Sequence, residues 1–405
     1  MTRRYRFVPP AGTPVSAADV VSSLGAALAD RDAVERFKAD LRARIGVSHC
    51  EFVSTGRAGM TLALLALKSM DGGKRDEVVI PSYTCFSVPA SVVKAGLKVR
   101  LADVDPMTLD IVPNVLERIS DSRVLAVVAT NLYGLPNDLP TIARAAQERG
   151  VYVVDDAAQC LGGGIGGRPS GTWGDIGLYS FDKGKNVTSI DGGVLVTGSD
   201  RVAAAIARQM KGLRASTLKE SAIHVAKLLI YATFLHPTRY WLPNALPFLG
   251  LGTTPYQTDY PLAQYDAWMA PLGRRLFARL DVVSMQRRAV AERYRKLLPW
   301  GTKLQAVVPR SDTAPAYLRY PVLVAAESRE KVLAALRAEG IGATASYPGA
   351  INDIPELQGV LRSEDRKLPG GRDLASRILT LPTHGYVTEQ DQDRIAAVIA
   401  DTLDA

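Results

Sequence analysis

The residues best equipped for chemistry fall within positions 155–193, DDAAQCLGGGIGGRPSGTWGDIGLYSFDKGKNVTSIDGG. The stretch holds an acid pair, Asp155 and Asp156, then Gln159, a glycine-rich turn, Ser180, and Lys185 ahead of Gly192 and Gly193. A lysine amine forms a Schiff base with an aldehyde. A carboxylate facing a pyridine nitrogen keeps it protonated, so that the ring can accept electrons. Hydroxyls and backbone N–H groups at a turn or helix start hold a phosphate. These are the three demands of pyridoxal 5'-phosphate, and the stretch offers a residue type for each.

The elements that must position these residues are legible around them. Residues 151–154 are a short β-branched run, read as a buried strand. Asp155 and Asp156 follow at its carboxyl end, where open α/β sheets bind ligands. A second run, 176–179, leads to Ser180, and Lys185 lies in a polar loop before a third strand at 194–197. Alternating strands and helices from 50 to 200 predict a mostly parallel sheet with helices on both faces.

The ordered set resembles the DegT/StrS-type family of pyridoxal-phosphate-dependent sugar aminotransferases. Asp155-Asp156-Ala157-Ala158-Gln159 is similar to the family's acid–Asp–Ala–Ala–Gln, and Ser180-Phe181-Asp182-Lys183-Gly184-Lys185-Asn186 to its Ser-Phe-x-x-x-Lys-Asn. The resemblance implies that Lys185 is the Schiff-base lysine and Asp156 the partner of the pyridinium. Gln159 would bond the ring hydroxyl, Ser180 the phosphate, and Asn186 would add a cofactor contact. The turn Ser54-Thr55-Gly56-Arg57-Ala58-Gly59-Met60 resembles the family's phosphate-holding Ser-Gly-Thr-Ala-Ala-Leu, which assigns Thr55, Gly56 and Arg57 to the cofactor. Arg57 stands where the family has Thr, and an arginine also grips phosphate. The family's Pro-Ser-x-Thr-aromatic motif lays a ring over the cofactor. Here Cys85 fills that slot and Phe86 comes one later, so stacking falls to Tyr83 or Phe86 or is absent; a core role suits Phe86 equally. Asn131-Leu132-Tyr133-Gly134 resembles the family's His-Leu-Tyr-Gly turn. The family's interface-crossing Asn-Tyr-Arg is not found; Gln257 or Asp259-Tyr260-Pro261 lies near its place.

The implied fold is α/β, a fold-type I pyridoxal-phosphate transferase. A large domain, residues 1–255, carries a mostly parallel mixed sheet flanked by helices, and 256–405 form a smaller α/β C-terminal domain.

Other readings of the same residues are weaker. Lys183 does not fit the Ser-x4-Lys spacing and reads as a surface charge. Asp155 suits a turn cap. Gly162-Gly163-Gly164-Ile165-Gly166-Gly167 satisfies G-x-G-x-x-G, but Arg168-Pro169-Ser170-Gly171 follows as a turn where a dinucleotide site needs a helix.

The 405 residues are 47% hydrophobic and 22% charged, enough for two domains and a large core. A net charge of +8, with no long basic run, suits phosphorylated ligands and not nucleic acid. Cys50, Cys85 and Cys160 make no disulfide framework and point to a reducing, cytoplasmic setting. The scattered His49, His224, His236 and His384 show no metal-ligand spacing, so no metal is expected. The N-terminus is basic but lacks the apolar segment of a secretory signal.

Residues 215–254 are unusually apolar. The run 228–235 is too short to span a bilayer, and Pro237, Pro243 and Pro247 break it. A hydrophobic subunit interface is the leading reading, ahead of a substrate lid and then of membrane-surface contact. Beyond it, long helices are expected over 265–298, with Leu272, Leu276, Leu280 and Val283 on one face. A strand at 318–324, a helix at 329–340, and a last helix opened by Thr388 and Asp391 follow.

The expected activity is a two-stage transfer of an amino group from glutamate or glutamine to a keto sugar, nucleotide-linked by the resemblance, in a homodimer. Two rivals remain from the sequence. One is a sugar dehydratase of the same family, in which a His replaces the lysine; the other is a non-catalytic regulatory protein of the same fold.

Overall fold

The computed structural model describes residues 6–111, 114–245 and 255–404. In chain order the strands of the first half are β1 (His49–Val53), β2 (Glu77–Pro81), β3 (Lys98–Ala102), β4 (Val124–Thr130), β5 (Tyr152–Asp156), β6 (Gly164–Ile165), β7 (Arg168–Pro169), β8 (Ile176–Ser180) and β9 (Gly193–Thr197). Seven of them form one sheet in the order β1-β9-β8-β5-β4-β2-β3. The pairs from β8 to β3 are parallel, and β9 runs against both its neighbours. The expected mostly parallel sheet is therefore present.

Side chains of successive strand residues point to opposite faces. Val78 and Ile80 accordingly join one core with Leu62, Ala63 and Leu67 of the helix Gly56–Asp71, while Val79 joins another with Ile142 and Ala145 of the helix Leu139–Glu148. Because both faces are covered, the strands are almost wholly buried and read as unbroken apolar runs. A third core gathers Phe37, Phe52, Phe181 and Phe277, bringing the helix Ala33–Ile45 against the loop after β8. Gly46, with φ +77°, ends that helix in the left-handed conformation that glycine adopts without strain.

The C-terminal part holds β10 (Leu304–Ala306), β11 (Thr313–Ala314), β12 (Tyr320–Val324) and β13 (Ile378–Leu381). β10, β12 and β13 form an antiparallel sheet, packed with the helices Leu280–Leu297, Ala326–Ala338 and Glu389–Asp404 over Val322, Val324, Leu336, Ile395 and Ile399. Thr388 and Asp391 form the predicted capping box. The N-terminal arm crosses to this part: Val8 bridges Ile341, and Pro9 O meets His384 Nε2 at 2.8 Å.

The apolar stretch folds as two helices, Leu218–Phe234 and Pro237–Asn244. Thr217 and Glu220 make a capping box for the first, and Pro237 opens the second, a position where its missing N–H costs nothing. Leu218, Ile223, Leu229 and Ile230 are exposed on it. Among the described residues no helix is long and apolar enough to cross a membrane. Pro247 and the rest of 246–254 lie outside the described residues.

Candidate active site

Parallel strands deliver their carboxyl ends to one edge of the sheet. Thr130 on β4 is level with Asp156 on β5, and Asp156 with Leu178 on β8, two residues before Ser180. The acid pair then divides its work. Asp155 is fully enclosed and its oxygens are spent: Gly171 N donates at 2.6 Å, Trp173 N at 3.1 Å and Asn131 Nδ2 at 2.8 Å. It braces the turn after the glycine-rich segment. Asp156 accepts the Ala158 amide at 3.1 Å and faces the cleft. Burial pushes its carboxyl up to about 6, opposed by that amide, by the charge of Lys185 and by the Thr130 hydroxyl.

Lys185 feels the reciprocal effect. Loss of water lowers its amine below the ordinary lysine value, against the pull of Asp182, Cys85 and Asp156, while Arg319 pushes it the same way as burial. The two side chains assigned to opposite ends of the cofactor therefore share one cleft. Lys183, by contrast, is paired with Asp182 at 3.3 Å at the protein surface. The lysine loop is held by its backbone: Lys185 N donates to Asp182 O at 3.0 Å, Thr13 Oγ1 lies 2.9 Å from Lys185 O, and Tyr231 Oη donates to Lys183 O at 2.8 Å.

An anion cradle adjoins this loop. Thr55 caps the helix Gly56–Asp71, its Oγ1 accepting Ala58 N at 3.0 Å. The amides that open a helix have no intrahelical acceptor and carry partial positive charge. Gly56 abuts the end of β8: a methyl there would stand 3.0 Å from Ser180 Cβ and 3.1 Å from its Oγ. Gly193 is needed for the same approach, since a methyl on it would lie 2.5 Å from Thr55 O. Ser54 Oγ is buried without a hydrogen-bond partner beside this turn. Arg57 points elsewhere than the sequence suggests. Its guanidinium lies over the Tyr260 ring, 5.1 Å from the centroid, and the Tyr260 hydroxyl is 2.7 Å from Thr61 Oγ1.

Three further assignments are refined. Of the adjacent pair 85–86, Cys85 is the one that acts on the Lys185 amine, with Ser87 Oγ donating to its Sγ at 3.0 Å. Phe86 is buried in the core that also holds Met60, Val88 and Val92, one of the two roles its place in the sequence leaves open, and the helix begins after it at Ser87. Asn186 is buried and donates to Leu161 O at 3.0 Å, bracing the glycine-rich turn, while its Oδ1 has no partner. Gln159 is engaged at both ends: Oε1 accepts Tyr133 N at 3.0 Å and Nε2 donates to Tyr347 Oη at 2.7 Å. The glycine-rich turn itself forms the β6–β7 hairpin and no helix, as expected.

Sequence reasoning missed Thr13, Arg319, Ser346 and Tyr347. They arrive from the arm and the C-terminal part, and no local pattern marks them.

The orphaned Ser54 Oγ, the space kept by Gly56 and Gly193, and the pairing of a buried acid at the end of β5 with an amine in the loop after β8 fit pyridoxal phosphate. An α/β fold with such a site defines the class of fold-type I transferases. The DegT/DnrJ/EryC1/StrS aminotransferase family model matches residues 17–229 and 261–400, and the chain belongs to that family. Over 370 residues it is 30% identical to the UDP-N-acetyl-3-dehydro-alpha-D-glucosamine 3-aminotransferase of Acidithiobacillus ferrooxidans, covering 90% of this chain and 87% of that protein. A pleiotropic regulatory protein of Geobacillus stearothermophilus is 26% identical over 371 residues, 91% and 89% of the two chains. Among solved structures, Helicobacter pylori PseC, an aminotransferase involved in the biosynthesis of pseudoaminic acid, superposes with a TM-score of 0.79. The superposition covers 98% of this chain and 99% of that one at 14% identity, a likeness of fold. The chain is an aminotransferase of the sugar-aminotransferase family. The unmatched interval between 229 and 261 falls in and after the apolar helices.

Proposed function

We propose that this aminotransferase moves the amino group of glutamate or glutamine to a nucleotide-linked keto sugar, using pyridoxal 5'-phosphate held by Lys185. The observation that carries the reading is the placement of Asp156 at the end of β5, in register with Leu178 just before Ser180, with the anchored Lys185 loop and the Ser180–Gly56 cradle following on the same sheet edge. When bound, the cofactor supplies an aldehyde for amines and a ring that accepts electrons from the reacting carbon.

The chain's own residues divide the remaining tasks. Asp156, once ionised, holds a proton on the ring nitrogen. The helix start at Gly56 and the Ser180 hydroxyl bind the phosphate. Lys185 Nζ, with its depressed pKa, is more often neutral near neutral pH than an ordinary lysine and so can take a proton from substrate carbon and return it. A lysine at 185 favours amino transfer over the dehydratase alternative. We further propose a division near residue 255 into a cofactor-holding part and a smaller part, a cytoplasmic setting, and a homodimer. Exposed Ile223, Leu229 and Ile230 support the dimer.

The test is Lys185→Ala. Borohydride reduction of the wild-type protein with pyridoxal phosphate is expected to label the peptide carrying Lys185, and the variant to remain unlabelled and lose activity by about a hundredfold or more. Labelling at Lys183, or full turnover in the variant, overturns the assignment.

A further inference from the structure

Arg319 is a cation without a counter-charge among the described residues. It precedes β12 and is half-buried, and among the described residues no carboxylate stands within ion-pair distance of it. A guanidinium carries five N–H donors. Arg319 uses one of them in a bond within the protein, from Nη1 to Thr344 Oγ1 at 2.9 Å. Nearby arginines are spent more fully. Arg287 donates to Leu318 O, Gly12 O and two threonine hydroxyls, and Arg288 to Pro315 O and Gly162 O.

The position of Arg319 is fixed from both sides of the cleft. Its own amide reaches Tyr133 O at 3.4 Å. Thr344 Oγ1 also accepts Ser346 N at 3.1 Å, which sets the turn that brings Tyr347 to Gln159. Its charge is felt at the Lys185 amine and at the hydroxyls of Tyr133 and Tyr347. A half-buried arginine with unspent donors, held against Tyr133 and Thr344 on the side of the site where Tyr347 meets Gln159, is a costly arrangement unless a ligand supplies the anion.

We propose that Arg319 binds the α-carboxylate of the amino donor. The inference rests on the reading of the site given above and names the part of the substrate that this residue meets. The planar fork of arginine matches a carboxylate in two parallel hydrogen bonds. On an amino acid the carboxylate is bonded directly to the carbon that carries the amine, so a group close to Lys185 can reach it. On a nucleotide-linked keto sugar the diphosphate hangs from the anomeric carbon, further round the ring from the keto carbon. The anion that Arg319 can meet is therefore the donor's, and Arg319 belongs to the first half of the reaction only.

The experiment uses Arg319→Met and Arg319→Lys in the protein loaded with pyridoxal phosphate. L-Glutamate is titrated against the cofactor's absorbance, and glutarate, which has no amine to react, is titrated by thermal shift. Arg319→Met is expected to weaken both by about tenfold or more, the scale of a lost charge-assisted hydrogen bond. Arg319→Lys, which keeps the charge without the fork, should recover part of the loss and serves as the measurement if the Met variant does not fold. The second half-reaction, run from the aminated cofactor with keto sugar, should keep its KM. Unchanged glutamate and glutarate affinities, or equal losses in both halves, overturn the proposal. If the wild-type protein takes up no pyridoxal phosphate, the reading of the site fails, and the glutarate titration of the unloaded protein alone decides whether Arg319 binds carboxylate.

Discussion

Thr13 Oγ1 lies 2.9 Å from the carbonyl oxygen of Lys185, so the arm ahead of the first helix fastens the backbone of the candidate catalytic lysine. The same hydroxyl is 2.9 Å from Asn186 O and receives Arg287 Nη2 at 3.4 Å. Arg287, almost fully buried, also donates to Gly12 O at 2.7 Å and to Leu318 O at 3.0 Å. One guanidinium thus joins the arm, the lysine loop and the start of β12. Burial without a carboxylate lowers its pKa to about 10, and four acceptors hold it in place.

Thr13→Val keeps the shape and removes the hydroxyl. It leaves two buried carbonyls and Arg287 short of a partner, at a cost of about 1–3 kcal/mol. The expected result is a lower unfolding midpoint together with reduced turnover, while donor and acceptor KM values hold. Thermal denaturation and steady-state kinetics read both. A variant with native turnover would show that Lys185 does not depend on this anchor.

Gly56→Ala separates cofactor binding from folding. Alanine is the better helix former, so stability should hold or rise slightly. The new methyl, however, meets Ser180 Cβ at 3.0 Å and Oγ at 3.1 Å, and Ser180 must yield by tenths of an ångström. Fluorescence titration with pyridoxal phosphate should report roughly tenfold weaker binding, about 1.4 kcal/mol. Equal affinity would remove the phosphate from this turn.

Asp156 sets the pH dependence. Its carboxyl is raised from 3.8 to about 6. In the unloaded protein its stabilising contribution is therefore present below 3.8 and is lost as pH climbs through about 6. Cofactor binding runs the other way, because a protonated ring nitrogen pairs with the ionised acid. Affinity for pyridoxal phosphate should rise as pH passes through about 6, and Asp156→Asn should flatten that rise. Asp155 is also raised to about 6 by burial, and it shares the trend in the unloaded protein. All its acceptors are used inside the protein, so it is not expected to contribute to the cofactor-linked rise. Titrations on either side of pH 6 compare the two; an unaltered slope in Asp156→Asn would exclude it as the partner of the ring nitrogen.

The legible part of this chain is the part written locally. A β-branched run followed by Asp155-Asp156, and Ser180 five residues before Lys185, fix both identity and place, because a strand end and a short loop leave few arrangements. Helix ends are local for the same reason: Gly46 stops one helix and Asp138 caps the start of another, each acting on its own neighbours. Contacts across long stretches of chain carry no such mark. Thr13 meets Lys185 across a sequence separation of 172, and Gln159 meets Tyr347 across one of 188. Between Cys85 and Phe86 spacing alone does not choose, and the burial of Phe86 beside Met60 and Val88 depends on residues far from it in sequence. The place of Arg57 in the turn suggests a phosphate grip, whereas its lying over the ring of Tyr260, distant in sequence, has no local mark.

Tyr231 belongs to the apolar helix Leu218–Phe234, yet its hydroxyl accepts from Thr13 N at 2.9 Å and donates to Lys183 O at 2.8 Å. Anyone trimming this enzyme toward a minimal version by cutting out the greasy hairpin would take away a rivet from the reaction centre along with it. The segment that looks most like a dispensable ornament is, through one phenol, part of the chassis.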